Sequence, residues 1–168
     1  MKPVAKFEKV SYEQFNAAWM NIFNIEARRE VYDKIQLPKR ATVGSAGYDF
    51  YSPFTFRLAP GETITIPTGI RVQIIEGWVL QLFPRSGLGF KYRLGLDNTV
   101  GIIDSDYYYS SNEGHIMARI TNNTTKNKTV TISQGDGFIQ GIFLQYGVTI
   151  DDEVNDIRDG GFGSTTKK

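Results

Sequence analysis

From residue 46 onward the chain alternates apolar and polar side chains in short runs, each broken by proline or glycine. A period of two is the mark of a strand with one buried face, because successive side chains point to opposite sides of a sheet. Phe54, Phe56 and Leu58 alternate with Thr55 and Arg57 before an Ala59-Pro60-Gly61-Glu62 turn. Ile64 and Ile66 alternate with threonines, and Pro67-Thr68-Gly69 turns the chain again. Ile70, Val72 and Ile74 follow, then a Glu76-Gly77 turn, then Val79-Leu80-Gln81-Leu82-Phe83. Further strands are expected at 99–103, 115–121, 129–133 and 137–146. Many short strands at this spacing point to an all-β barrel or sandwich.

The first forty residues follow another rule. Ser11 and Gln14 have the spacing of a capping box, in which a hydroxyl satisfies a free amide at a helix start. Phe15, Ala18, Trp19, Ile22 and Phe23 then fall on one helical stripe. A second, polar helical stretch is expected over 25–35, ended by Leu37-Pro38, since proline disfavours helix in the residue before it. The stripe is expected to pack on the main body or on a neighbouring subunit, with a regulatory, partner-binding surface as the alternative. The last residues, from Arg158 to Lys168, are rich in Gly, Ser and Thr and read as a mobile tail. The expected organisation is one domain over 1–168: a helical N-terminal extension at 1–36, a β barrel at 37–150 and a flexible C-terminal arm at 151–168.

Composition narrows the chemistry. There is no cysteine and one histidine, His115. Thiol nucleophiles, zinc–thiolate sites, disulfides and multi-histidine zinc sites are therefore excluded, and a serine triad would have to run through His115 alone. The formal charge of +1 gives no net field toward nucleic acid or anionic membrane. No apolar run approaches the ~20 residues needed to span a bilayer. The N-terminal MKPVAKFEKVSYEQ lacks the apolar core of a signal peptide, so a cytoplasmic location is expected.

Four segments could carry chemistry. Pro84-Arg85-Ser86-Gly87-Leu88-Gly89 follows a strand; a guanidinium, an Oγ and bare amides there can converge on one anion, although a plain β-turn explains the glycines as well. Asn98 through Tyr107 includes an apolar strand that delivers Asp104, Asp106 and an aromatic ring at its end; one carboxylate can take a proton from water, or both can cap turns. Gly135-Asp136-Gly137-Phe138-Ile139-Gln140 enters a strand with an amide side chain among apolar neighbours. Arg158 through Thr165 joins an arginine, glycines, Phe162 and two hydroxyls, suited either to a disordered end or to a lid over a base and its phosphates.

In this order the segments resemble the five motifs of the homotrimeric deoxyuridine triphosphatase (dUTPase) family. Ala46-Gly47-Tyr48-Asp49-Phe50 resembles the first, Pro84-Arg85-Ser86-Gly87 the second and Gly101-Ile102-Ile103-Asp104-Ser105-Asp106-Tyr107 the third. The fourth and fifth are matched by Gly135 to Gln140 and by Gly161-Phe162-Gly163-Ser164-Thr165. The resemblance implies a jelly-roll-like β barrel, assembled as a homotrimer with shared active sites. It implies hydrolysis of dUTP to dUMP and pyrophosphate, limiting uracil in DNA and supplying dUMP for dTMP synthesis.

Residue by residue, the resemblance makes Asp104 the base that activates water against the α-phosphate. Tyr107 would pack on the deoxyribose. Asn98, with backbone of Gly101 and Ile103 on the same hairpin, would read the uracil edge. Arg85, Ser86 and Gly87 would hold phosphates, with Gln140 near the α-phosphate. Arg158, Phe162, Gly163, Ser164 and Thr165 would form the closing arm, and Asp49 would be a supporting carboxylate. Mg²⁺ would ride on the triphosphate oxygens and waters, with no direct protein ligand. His115 is set aside in favour of Asp104.

Three features depart from the commonest family pattern. Tyr108 through His115 is longer than the usual turn and resembles an insertion of a bacterial and phage branch. The fifth motif has one residue fewer after Arg158, and it ends Ser164-Thr165-Thr166 in place of a final glycine. The rival readings are a dCTP deaminase of the same fold, and a binding protein acting through its helices or its insert.

Overall fold

The computed structural model describes residues 2–154 of the 168-residue chain. The expected closing arm, with Arg158, Phe162, Gly163, Ser164 and Thr165, lies outside the described residues. Twelve strands, three α-helices and one 3₁₀ helix make up the described part. The expected all-β class with a helical N-terminal segment is therefore present.

The chain opens with a strand that lies before the alternating segments, β1 (Ala5–Lys9). Helix α1 (Tyr12–Phe23) follows, with Ser11 at its N-cap accepting from the Gln14 amide at 3.1 Å. Part of the expected stripe faces inward: Phe15 is fully buried, and Trp19 and Phe23 pack edge-on against Phe54, while Ala18 and Ile22 line an open groove. The second helix is shorter than the polar stretch suggested, α2 (Arg29–Asp33). Its five residues hold a ring cluster around Tyr32, which stacks on Tyr12 and Phe15 and donates its hydroxyl to the Val10 carbonyl at 2.7 Å.

The strands are β2 (Lys39–Arg40), β3 (Tyr48–Tyr51), β4 (Phe56–Leu58), β5 (Thr63–Pro67), β6 (Ile70–Ile74) and β7 (Trp78–Pro84). Helix α3 (Ser86–Tyr92) intervenes before β8 (Leu94–Leu96), β9 (Gly101–Ile103), β10 (Met117–Asn122), β11 (Val130–Ile132) and β12 (Gly137–Gln145). They pair in four sheets, β1-β6, β5-β10-β8, β11-β4 and β2-β3-β12-β7-β9. Period-two alternation is borne out where it was clearest: in β6, Ile70, Val72 and Ile74 are buried while Gln73 is exposed. The core gathers these inward faces, with Phe15, Phe50, Leu80, Leu82, Ile120, Phe138 and Ile139 fully or almost fully buried.

Two expectations are corrected. The segment after β7 is not a turn, because Ser86 through Tyr92 wind into α3 with Arg85 as its N-cap. Strands β8 and β9 do not form a hairpin with each other either: β8 pairs with β10 and β9 with β7, so residues 97–100 bridge two sheets. Thr99 takes a left-handed φ of 66° in that bridge, and its N–H donates to the Leu96 carbonyl at 2.9 Å.

Candidate active site

The five-stranded sheet brings three of the sequence segments together. Strand β12 lies between β3 and β7, with Gln140 opposite Asp49 on one side and opposite Phe83 on the other. Arg85, just past the end of β7, turns back across this junction. Its Nε meets Asp49 Oδ1 at 3.0 Å, and its Nη1 donates to the Gly137 carbonyl at 2.9 Å. The guanidinium is thus held by β3 and β12 at once, while its side chain stays 42% exposed and able to meet a ligand. A partly exposed, fixed guanidinium fork is suited to a phosphate oxygen pair.

Two glycines sit where these segments touch. A Cβ on Gly137 would stand 2.8 Å from Arg85 Nη1, and one on Gly47 would stand 2.6 Å from Gln140 Oε1. Gln140 donates from Nε2 to the Pro84 carbonyl at 3.2 Å, which ties the amide to the residue before Arg85. Ser86 and Gly87 are exposed in the first turn of α3. The first amides of a helix have no acceptor within it and remain available to an anion.

The third segment sits elsewhere. Strand β9 leaves the sheet at Ile103, and Asp104 caps a 3₁₀ helix, Ser105–Tyr109. Asp104 and Asp106 line an open cavity of about 760 Å³ together with Gln81, Ile102, Tyr109 and Tyr146. Asp104 lies one residue past the Leu80–Ile103 pair, whereas Gln140 is opposite Phe83. Four residues along β7 and two strand spacings across it place the two α-carbons roughly 16 Å apart. Within one chain, then, the Arg85 cluster and the Asp104 carboxylate occupy opposite ends of β7.

Asn98 is exposed in the bridge between β8 and β9, and Gly101 packs so closely on β7 that a Cβ would lie 3.1 Å from Leu82. Ile103 is half-buried on β9. Tyr107 is turned inward and 5% exposed. Its hydroxyl donates to the His115 carbonyl at 2.8 Å and accepts from Asn112 Nδ2 at 2.8 Å.

His115 is wholly buried, and its Nε2 accepts the Gly69 amide at 2.8 Å. Burial pushes its pKa down to about 4 against the opposing pull of the Glu113 carboxylate, so the ring is neutral near pH 7. The ring packs in the core beside Phe15.

The sequence reasoning missed the partners of the segment after Tyr107. Glu113 accepts the Ser11 amide at 2.7 Å and the Ser11 hydroxyl at 2.6 Å, completing the cap of α1 from 102 residues away. Tyr108 donates to Glu8 at 2.5 Å, and the Arg71 guanidinium lies 3.6 Å from the centre of the Tyr108 ring. Burial of Glu113 would raise its pKa, but the Ser11 hydrogen bonds and Arg71 outweigh it and hold the carboxyl below its ordinary 4.5. The only local signal was Asn112-Glu113-Gly114, a turn composition that says nothing of a distant partner.

Among the described residues no helix is long and apolar enough to cross a membrane. No group of three or more His, Asp or Glu among them is arranged to hold a metal ion.

Residues 33–166 match the family model described as dUTPase. The chain is 42% identical over 134 residues to a deoxyuridine 5′-triphosphate nucleotidohydrolase of Lactococcus lactis, covering 78% of this chain and 88% of that protein. It is also 42% identical over 137 residues to the protein of that name from Finegoldia magna, covering 77% and 90%. The crystal structure of a dUTPase from Streptococcus mutans superposes with a TM-score of 0.63 at 33% identity, covering 87% of this chain and 98% of that one.

Proposed function

The chain belongs to the dUTPase family, and from that premise we propose that it hydrolyses dUTP to dUMP and pyrophosphate in a site shared between subunits of a homotrimer. The observation that carries the shared site is the separation along β7. The Arg85–Asp49–Gln140 cluster and Asp104 are too far apart in one chain to act on one phosphate. A neighbouring copy would bring its Asp104 end to the Arg85 end of the first.

In this reading Asp104 accepts a proton from water as the water oxygen attacks the α-phosphorus. The bond from that phosphorus to the α–β bridging oxygen breaks, pyrophosphate leaves, and the proton remains first on Asp104. Arg85 and the α3 amides at Ser86 and Gly87 hold phosphate oxygens, and Gln140 lies by the α-phosphate. Asp49 keeps the Arg85 fork in place. Asn98, with backbone of Gly101 and Ile103, reads the uracil edge, whose donor and acceptor pattern at position 4 is the reverse of that of cytosine. The Tyr107 ring packs on the deoxyribose. Arg158, Phe162, Gly163, Ser164 and Thr165 close over base and phosphates.

Carboxylate oxygens suit a hard cation, and Asp104 and Asp106 share a wall of the cavity from which waters can reach one. Mg²⁺, when bound, would ride on the triphosphate rather than on a protein ligand and would supply charge neutralisation there. The product dUMP would feed dTMP synthesis, and loss of dUTP would limit uracil in DNA. The segment 108–115 is read as the insertion of a bacterial and phage branch.

The test offers purified protein with Mg²⁺ the substrates dUTP, dCTP, dTTP and UTP in turn, with products resolved by chromatography. The expected result is dUMP and pyrophosphate from dUTP alone. Deaminated product from dCTP would replace the reading with a deaminase, and no turnover of any nucleotide would leave a binding protein.

A further inference from the structure

The segment 108–115 holds the one tyrosine that the proposed chemistry uses. Asn112 Nδ2 donates to the Tyr107 hydroxyl at 2.8 Å, and that hydroxyl donates to the His115 carbonyl at 2.8 Å. The Asn112 side chain is itself anchored, because its Oδ1 accepts the Gly114 amide at 3.1 Å. Its main-chain carbonyl accepts the His115 amide at 3.1 Å. Gly114 has a φ of +68°, and a Cβ there would lie 2.8 Å from the Tyr107 carbonyl oxygen and from Tyr108 Cα. The loop therefore closes tightly on the backbone of the ring it holds.

A buried phenol needs its partners, because stripping one away leaves a polar atom without compensation. Here one short loop engages the hydroxyl twice: the Asn112 side chain donates to it, and the His115 carbonyl accepts from it. The angle at which the Tyr107 ring is presented is thus set from its far end.

We propose that Asn112 is a positioning residue for Tyr107, fixing the ring so that a deoxyribose triphosphate fits against it and a ribose triphosphate does not. This rests on the role of Tyr107 proposed above. The fit of a ring against a sugar lacking its 2′-hydroxyl tolerates little rotation, so a loosened ring admits UTP and holds dUTP less well.

The experiment measures kcat/KM for dUTP and for UTP in the full chain and in the variants Asn112→Leu, Tyr107→Phe, the double variant and Tyr107→Ala, with thermal melting alongside. A variant that merely folds less well loses both substrates in proportion and keeps the ratio. The expected result is a drop of about 5- to 10-fold in the dUTP-to-UTP ratio for Asn112→Leu and for Tyr107→Phe, the scale of one hydrogen bond. The double variant should be no worse than either single one. A wild-type ratio in Asn112→Leu, with a collapsed ratio in Tyr107→Ala, overturns the positioning role and leaves the sugar contact standing. An unchanged ratio in Tyr107→Ala overturns the sugar contact itself. If Asn112→Leu does not fold, Asn112→Asp replaces it, since an ionised carboxylate of the same size cannot donate to the hydroxyl.

Discussion

Arg85 is clasped by Asp49, whose Oδ1 sits 3.0 Å from its Nε, while its other arm donates to the Gly137 carbonyl. Two strands thus fix a side chain whose tip remains partly exposed. A long cation held this way has already lost most of its rotamer freedom, so the cost of ordering it on a phosphate is small.

Gly137→Ala tests that clasp without substituting Arg85 or Asp49 themselves. The added methyl would lie 2.8 Å from Nη1 and push it off the Gly137 carbonyl. The expected outcome is a KM for dUTP raised about tenfold, the scale of a charge-assisted hydrogen bond, with kcat and melting temperature little changed. Steady-state kinetics checks this, and an unchanged KM would show that the clasp is not used.

Sharing of the site makes a different demand. Arg85→Ala and Asp104→Asn should each be inactive alone. After unfolding and refolding as a mixture, activity should return, since some interfaces then pair an intact Arg85 end with an intact Asp104 end. Native mass spectrometry should find three copies of the 18.9 kDa chain. Two dead variants that stay dead when co-assembled would mean that each chain builds its own site.

Asp104→Asn should still bind dUTP and lose on the order of 10²–10⁴ in turnover, the usual contribution of a general base. Binding by titration calorimetry and turnover by pyrophosphate release separate the two effects. Full activity in this variant would point to another carboxylate at the same cavity, with Asp106 the next to test.

His115 gives a prediction in pH. Its folded pKa of about 4 lies below its ordinary 6.5, so the unfolded chain binds the proton more readily. Stability from the neutral ring is complete above pH 6.5 and is lost as pH falls from there to about 4, amounting to roughly 3 kcal/mol. Chemical denaturation between pH 7 and pH 4.5 should show the decline, and His115→Gln should flatten it while retaining turnover. A decline of equal slope in that variant would assign it to other groups.

Much of this was legible in the chain itself. The cap at Ser11, the stripe from Phe15 to Phe23 and the alternation in β6 depend on neighbours within a few residues, and local periodicity reports those faithfully. Helix α3 escaped because Gly87 and Gly89 lower helix propensity, and an arginine with small residues after a strand also describes a turn. Strand β1 carried only a short signal, with Ala5 and Phe7 alternating against Lys6 and Glu8, and its pairing with β6 is set across the fold. The motif residues could be named from order and spacing. Their separation along β7 could not, because register between strands is fixed by packing and leaves no trace in spacing.

The fastening of Ser11 by Glu113, and of Tyr108 by Glu8, bears on how such a chain can be inherited or rebuilt. A graft that carried the segment 108–115 into a relative lacking the first dozen residues would take the two Ser11 donors from the Glu113 carboxylate. The reverse graft would leave a helix with half a cap. The two segments form one structural unit, and a graft keeps these contacts only when it exchanges both.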